Sequence, residues 1–257
     1  MSFLVVDRVS HTYFTEKTAV TALENISLTV EKGEIVSFLG PSGCGKTTLL
    51  SIIAALIEPT EGAVFIEGKE LDRFRPTAGY MLQQDYLFPW KTIEENILLG
   101  LKIMGRLTEE TKRRALDLLA YIGLKGVESH YPSQLSGGMR QRAALVRTLA
   151  TDPKMLLLDE PFSALDQQTK LKLEELVWKT LKEYGKTAVL VTHDIGEAIA
   201  VSDRIFLFSA KPGRIMHTFM VPDELRRLSP FAARQHPAFS ALFQSIWKEL
   251  DELETNQ

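Results

Sequence analysis

The sequence lacks the features by which secreted, membrane-spanning and strongly basic proteins are recognised. Cys44 is the single cysteine among 257 residues, which excludes an intramolecular disulfide and fits a reducing compartment. No apolar run approaches the roughly 20 residues that a membrane-spanning helix needs, and residues 1–8 lack the pattern of a signal peptide. Thirty Lys and Arg against 33 Asp and Glu give a net charge of −3, which argues against nucleic-acid binding through bulk positive charge. We therefore expect a protein that neither spans a membrane nor is exported, and that does not bind nucleic acid.

Short apolar runs rich in β-branched residues alternate with helical patterns along most of the chain. The predicted strands are Phe3–Val9, Ile26–Val30, Ile35–Leu39, Ala63–Glu67, Gly79–Gln83, Met155–Leu158, Thr187–Val191 and Ile205–Phe208. The predicted helices run from Gly45 to about Leu56, over much of the stretch 92–131, and over Gly138–Ala150, Gln167–Tyr184 and Ile195–Val201. Because the later strands are short and apolar throughout, we expect them to be buried and parallel. The alternation predicts an α/β sheet with helices on its faces and a helical insertion outside it.

Residues 223–257 are predicted to form a separate helical tail after the last strand–helix unit. Large apolar side chains recur in it at helical spacing, at Phe239, Leu242, Phe243, Ile246, Trp247 and Leu250. Such a stripe favours a helix that packs on its own domain, with a partner-binding helix as the alternative.

The segment Gly40–Thr47 has the full pattern G-x-x-x-x-G-K-T, and it lies between a predicted strand and a predicted helix. The glycines let the backbone wrap closely around phosphates, and the helix N-terminus offers them positive potential. Lys46 is expected to reach the β- and γ-phosphates of a nucleotide, and the Thr47 hydroxyl to bind Mg²⁺. The residues predicted to contact the nucleotide here are Gly40, Ser42, Gly43, Cys44, Gly45, Lys46, Thr47 and Thr48.

A phosphate loop needs a carboxylate for its metal ion, and the run Met155–Glu160 provides two at the carboxyl end of a predicted buried strand. Asp159 is expected to act on Mg²⁺ through water. Glu160, one residue on, is placed to take a proton from an attacking water. The two motifs together predict a protein that hydrolyses a nucleotide.

A second anion-binding helix terminus is predicted within Leu135–Arg142, where Ser136 is followed by Gly137 and Gly138. One nucleotide does not need two such cradles from one subunit. The simplest geometry is a two-fold homodimer in which each nucleotide lies between one subunit's phosphate loop and the other's Ser-Gly-Gly.

With these motifs the chain resembles the nucleotide-binding subunit of ABC transporters over residues 1 to about 220. The resemblance implies an ATP-binding cassette over residues 1–222 that belongs to the P-loop NTPases. Its expected parts are a RecA-like, mostly parallel sheet, an N-terminal antiparallel β subdomain and a helical subdomain at about 92–150. Ser136, Gly137 and Gly138 match the family's signature, which contacts the partner's nucleotide.

Four further residues match positions with roles in that family. Tyr13 matches the aromatic residue that stacks on adenine, and Gln83 matches the glutamine that contacts Mg²⁺ and faces the membrane partner. Asp166 ends the segment Ser163–Asp166, which matches the D-loop beside the nucleotide. His193 matches the switch histidine near the γ-phosphate. The resemblance thus implies catalytic roles for Lys46, Gln83, Glu160 and His193.

Some of these matches leave alternatives open. Tyr13 is alternatively a surface aromatic residue of a strand, and Gln84 is a second candidate for the position assigned to Gln83. The cluster Phe88–Trp90 is either ordinary core or part of the surface that receives the permease.

Three segments, Leu87–Trp90, Leu135–Arg142 and Ser209–Ile215, resemble the nitrate/sulfonate/taurine import group, and importers of thiamine precursors share much of them. The resemblance implies ATP-driven import through a separate membrane permease, with an extracytoplasmic solute-binding protein acting through that permease. It places the chain at the cytoplasmic face of a bacterial or archaeal cell membrane. The alternative is a soluble ABC ATPase that acts on nucleic acid or ribosomes. A small GTPase is disfavoured because the chain has no Asn-Lys-x-Asp motif.

Overall fold

The computed structural model describes residues 2–71, 78–163 and 165–255, and its strands form two sheets. One sheet has four antiparallel strands in the order β2-β1-β4-β5: β1 is Leu4–Phe14, β2 Ala19–Val30, β4 Glu61–Ile66 and β5 Lys69–Glu70. The long strands β1 and β2 alternate between buried and exposed residues over much of their length, as expected for strands with one face on the core.

The second sheet has six strands in the order β10-β9-β3-β8-β7-β6. Their bounds are Ile35–Leu39 (β3), Ala78–Met81 (β6), Met155–Asp159 (β7), Thr187–Thr192 (β8), Arg204–Phe208 (β9) and Ile215–Met220 (β10). All neighbours in this sheet run parallel except β10, which is antiparallel to β9. Every residue of β3, β7 and β8 is buried, which fits their apolar composition and their central position.

Six helices accompany the sheets within the described residues before position 222. They are α1 (Lys46–Ile53), α2 (Ile93–Ile103), α3 (Glu109–Tyr121), α4 (Gly137–Ala150), α5 (Gln167–Glu183) and α6 (Ile195–Val201). Capping boxes at Thr92 and Thr108 start α2 and α3, because each threonine hydroxyl accepts a hydrogen bond from the third helical N–H. Helices α2 and α3 pack on α4 and share one apolar core with it. The predicted fold class, a mostly parallel sheet with an antiparallel N-terminal sheet and a helical part, is confirmed.

The tail comprises α7 (Asp223–Arg226), α8 (Pro230–Gln235) and α9 (Pro237–Thr255). Ile246 of α9 is fully buried and shares an apolar core with Leu39 of β3 and Ile199 of α6. Trp247, expected on the buried face, is instead 56% exposed and stacks on Phe243. The apolar stripe of α9 is thus narrower than the sequence suggests.

Other elements also differ from expectation: β1 extends to Phe14 rather than Val9, and β2 begins at Ala19 rather than Ile26. Strand β10 was not predicted, because only Ile215 and Phe219 of its residues are even partly buried and no apolar run marks it. Helix α1 ends at Ile53 rather than near Leu56, since Ala55 takes a left-handed conformation with φ 59°. Within the described ranges, no helix combines the length and apolar character needed to cross a membrane.

Candidate nucleotide site

The phosphate loop lies between β3 and α1, at the carboxyl edge of the parallel sheet. Gly45 immediately precedes α1 with φ 88°, and a Cβ on it would lie 2.6 Å from Leu23 Cδ2 and 2.7 Å from the Ala22 carbonyl oxygen. Only glycine fits both this conformation and this space. The loop is therefore fixed against β2 as well as between the strand and helix that flank it.

Lys46 is buried, and its ammonium group lies inside the curve of the loop. The Nζ donates to the carbonyl oxygens of Gly40 at 2.7 Å and Pro41 at 2.9 Å, and it lies 3.3 Å from the Cys44 Sγ. No carboxylate among residues 2–71, 78–163 and 165–255 forms an ion pair with this ammonium group. An anion in the loop would compensate its positive charge.

Two of the three predicted Mg²⁺ ligands, Thr47 and Asp159, meet beside this loop, whereas the third, Gln83, contacts Glu160 instead. The Thr47 hydroxyl donates to Asp159 Oδ1 at 3.1 Å, and the Tyr80 hydroxyl donates to Asp159 Oδ2 at 3.4 Å. Burial raises the pKa of Asp159. The neighbouring Glu160 carboxylate also raises this pKa, whereas the hydrogen bond from Thr47 lowers it. Burial also raises the pKa of Tyr80 to about 12, so this hydroxyl keeps its proton. A hydroxyl and a carboxylate in contact are the hard oxygen donors that Mg²⁺ takes alongside phosphates and water, so the residues fit that ion.

Glu160 contacts two of the other three predicted catalytic residues, Gln83 and His193. Its carboxylate accepts from Gln83 Nε2 at 3.0 Å on Oε2, and its Oε1 lies 3.3 Å from His193 Nδ1. The backbone of Glu160 has φ 45°, which is costly for a residue with a side chain and is held by a hydrogen bond from its N–H to the Val191 carbonyl. Of the two candidate glutamines, it is therefore Gln83 rather than Gln84 that contacts Glu160.

Tyr13 lies near the end of β1, beside α1. Its ring is 45% exposed and packs edge-on against His11, with centroids 4.5 Å apart. The Tyr13 hydroxyl is 3.2 Å from Thr48 Oγ1, which ties the aromatic residue to α1. The exposed ring face is available to a planar base.

Most of these groups line one open cleft of about 560 Å³, whereas Gly40, Tyr80 and Asp159 are not among its lining residues. Among the sequence-predicted residues it is lined by Tyr13, Ser42, Gly43, Cys44, Gly45, Lys46, Thr47, Thr48, Gln83, Glu160 and His193. It is also lined by Val20, Thr21, Ala22 and Lys211, which sequence reasoning did not select. Val20, Thr21 and Ala22 belong to β2, whose sequence is that of an ordinary strand. The residues around Lys211 do not indicate that this turn lies against the cleft.

The predicted signature and D-loop residues do not line this cleft. Ser136 caps α4 by accepting from the Met139 N–H at 3.3 Å, and Asp166 caps α5 by accepting from the Thr169 N–H at 3.0 Å. The two helix starts adjoin, since a Cβ on Gly138 would lie 2.8 Å from Thr169 Cγ2. Ser136, Gly137, Gly138 and Asp166 thus form a second group of predicted nucleotide contacts, apart from the first. Ala164 of the D-loop lies outside the described residues.

Two arginines of α4 hold the segment that follows Gln83, a connection that the sequence does not reveal. Arg140 Nε donates to Asp85 Oδ2 at 2.9 Å, and Arg147 donates to the carbonyl oxygens of Asp85 and Tyr86, both at 2.7 Å. These bonds join the segment directly to the helix that begins at the predicted signature.

Comparison with known proteins supplies the context for this site. The family described as "ABC transporter" matches residues 23–163. The "Uncharacterized ABC transporter ATP-binding protein YtlC" of Bacillus subtilis is 67% identical over 257 residues, which are 100% of this chain and 99% of the relative. The "Aliphatic sulfonates import ATP-binding protein SsuB" of Bacillus licheniformis is 42% identical over 241 residues, covering 93% of this chain and 90% of the relative.

Among solved structures, the chain is similar to the dimeric "post-hydrolysis state of the ATP-binding cassette MJ0796 bound to ADP and Pi". The TM-score is 0.76 at 37% sequence identity, covering 85% of this chain and 99% of the other. The similarity therefore extends over the whole of that cassette.

Proposed function

This chain belongs to the ABC transporter family as an ATP-binding subunit with ATPase activity, and we propose that it powers the import of a small solute through a separate membrane permease. The observation that carries the proposal is the single cleft in which Lys46, Glu160 and His193 converge. Such a cleft can bind a triphosphate and activate water beside it, and nothing in it is suited to selecting the transported solute.

Hydrolysis in this proposal is an in-line attack of water on the γ-phosphorus of ATP. Glu160 takes the proton of that water, while Gln83 and His193, in contact with its two carboxylate oxygens, fix its orientation. As the bond to the leaving ADP oxygen breaks, Lys46 neutralises the charge that develops on the phosphates. Thr47 and Asp159 would hold Mg²⁺, which lowers the cost of this charge when it is bound.

We propose that the working unit is a homodimer. The support is that Ser136, Gly137 and Gly138 lie at the start of α4, where a helix offers positive potential to an anion. Neither they nor the neighbouring Asp166 line the cleft of their own chain. A two-fold arrangement gives them the partner's nucleotide. The dimeric state named for the MJ0796 cassette agrees with this arrangement.

The contact with the permease is proposed on the segment that follows Gln83. Tyr86 is 57% exposed and Trp90 is 70% exposed, and the Phe88 and Trp90 rings pack together. Exposed aromatic rings concentrate binding energy at protein interfaces. Because Arg140 and Arg147 hold the same segment, pressure from the permease would reach both the catalytic glutamine and the signature helix.

The solute class is proposed from relatives and from sequence resemblance. A relative named for aliphatic sulfonate import supports a small solute of the nitrate, sulfonate and taurine type, with a thiamine precursor as the alternative. Import of this kind places the protein on the cytoplasmic face of a bacterial or archaeal membrane and implies an extracytoplasmic solute-binding protein.

The first test compares Mg²⁺-dependent ATPase activity and molecular size for the wild type, Glu160→Gln and, as a control, Glu183→Gln on the exposed end of α5. We expect the Glu160 variant to bind ATP, to lose hydrolysis by roughly a hundredfold or more and to elute as a dimer with ATP. Adding Ser136→Arg to it should abolish the dimer while preserving ATP binding. Normal hydrolysis by the Glu160 variant would refute the assigned base, and a dimer that survives Ser136→Arg would refute the assembly.

A second test separates transport from the alternative of action on nucleic acid or ribosomes. We expect Trp90→Ala to keep the basal ATPase activity and to reduce the fraction of the protein that sediments with membranes of its own cells. Sedimentation with ribosomes or nucleic acid that nuclease treatment removes would favour the alternative instead.

A further inference from the structure

The turn between β9 and β10, residues 209–214, is packed firmly against the phosphate loop. The Gly213 N–H donates to the Ala22 carbonyl at 2.9 Å, and the Gly213 carbonyl accepts from the Glu24 N–H at 3.0 Å. A Cβ on Gly213 would lie 2.0 Å from the Cys44 carbonyl oxygen, so no other residue fits between the turn and the loop. The turn is therefore positioned relative to both β2 and the loop.

Hydrogen bonds within the turn fix its shape as well. The Ser209 hydroxyl donates to the Pro212 carbonyl at 3.1 Å and accepts from the Arg214 N–H at the same distance. Arg214 also pairs with Glu24 at 2.7 Å. The backbone that carries Lys211 is thus held in one place beside the nucleotide cleft.

Lys211 extends from this turn along the phosphate loop. Its Cε lies 3.8 Å from the position that a Cβ on Gly43 would take, and its side chain lines the cleft together with Lys46. No hydrogen bond or ion pair to Lys211 occurs within the part of the chain that the structure describes, whereas Lys46 makes three contacts inside the loop. The cleft is thereby lined by two ammonium groups, one buried and engaged, the other exposed and without a partner among the described residues.

We propose that Lys211 is a second phosphate-binding ammonium group of the cleft, which attracts the polyphosphate chain of the nucleotide from the Gly43 side of the loop. The inference rests on the nucleotide site proposed above. An exposed ammonium group loses little hydration when a phosphate binds beside it. Its attraction for the phosphates increases with the charge of the ligand and decreases as the salt concentration rises. Lys211 should therefore favour ATP over ADP and ADP over AMP.

The test measures dissociation constants for AMP, ADP and ATP without Mg²⁺, at low and high salt, for Lys211→Gln, Lys211→Arg and Lys211→Glu. Lys69→Gln, an exposed lysine of β5 that does not line the cleft, is the matched control. For Lys211→Gln we expect ATP binding to weaken by roughly three- to tenfold, ADP binding less and AMP binding least. The loss should shrink at high salt, Lys211→Arg should restore binding, and Lys211→Glu should weaken it further.

Equal losses for the three nucleotides would overturn the inference, because they would indicate a structural effect on the loop. Unchanged ATP binding in Lys211→Gln and Lys211→Glu would overturn it too. A wild type that binds no nucleotide would instead refute the proposed site itself, so the two failures are distinguishable.

Discussion

Glu174, on α5, is a carboxylate with no exposed surface, and its replacement by Gln should change how stability depends on pH. Burial raises the pKa of Glu174 from its ordinary 4.5 to about 7, with Glu197 acting in the same direction and Arg234 and Lys170 opposing it. Arg234 Nη1 lies 2.7 Å from Glu174 Oε2, close enough for an ion pair but poorly directed for a hydrogen bond. The pairing thus compensates for only part of the cost of burying the charge.

The sign and size of the effect follow from proton linkage. Well below pH 4.5 the Glu174 carboxyl is protonated in both the folded and the unfolded chain and contributes no pH dependence. As the pH rises towards 7, the unfolded chain loses this proton while the folded chain keeps it, so the free energy of unfolding falls. At about 1.4 kcal/mol per pH unit, the wild type should lose about 3 kcal/mol from this group by pH 8.

Gln is a neutral mimic of the protonated carboxyl, so Glu174→Gln should exceed the wild type in free energy of unfolding by less than about 1 kcal/mol at pH 5 and by about 3 kcal/mol at pH 8. Urea denaturation between pH 5 and pH 8 measures this difference, with Glu183→Gln at the exposed end of the same helix as the control. Curves for the wild type and the Glu174 variant that run parallel across this range would refute the reasoning.

The remaining predictions concern the cleft. Gly45→Ala should lower the free energy of unfolding by roughly 1–3 kcal/mol and impair ATP binding, because the added Cβ would collide with Leu23. Gly68→Ala is the control: no atom lies within 4 Å of its added Cβ, so this variant should bind ATP normally in the same titrations. Tyr13→Ala should weaken ATP binding by about 1–3 kcal/mol if the ring stacks on adenine, and Tyr13→Phe should retain it; equal losses would argue against stacking. Cys44, 1% exposed, should react slowly with a bulky maleimide and still more slowly with Mg-ATP, as followed by mass spectrometry. Rapid labelling that ATP does not slow would contradict the burial of this thiol within the loop.

Features with a local cause could be predicted closely from the sequence. Helices α2 and α3 lie in the predicted helical stretch 92–131, and the threonine that starts each accepts a hydrogen bond from an N–H only three residues on. Helix α6 has the predicted bounds Ile195–Val201, and Asp194 caps it by accepting from the Glu197 N–H. The apolar central strands were equally clear, because burial on both faces requires continuous apolar runs.

Features that depend on residues far apart in the chain could not be predicted. The ion pair between Asp85 and Arg140 joins positions 55 residues apart, and neither side chain differs in type from an ordinary surface charge. Lys211 lines the cleft only because β9 lies beside β3 and delivers its turn to the phosphate loop. In each case the partner is fixed by the order of strands and helices, which single-sequence patterns do not specify.

The tail shows how such long-range contacts connect an apparently separate segment to the neighbourhood of His193. Arg234 of α8 pairs with the buried Glu174 of α5, and one turn earlier on α5 Lys170 contacts Asp194 at 2.7 Å and a Glu197 oxygen at 2.6 Å. Asp194 immediately follows His193 and caps α6. Asp194 therefore cannot move without moving the segment that contains His193. Because α5 begins directly after the D-loop, the same buried charges link the tail, the D-loop and the histidine segment. A displacement of the tail would remove Arg234 from Glu174 and leave this buried carboxylate, when ionised, without its ion-pair partner.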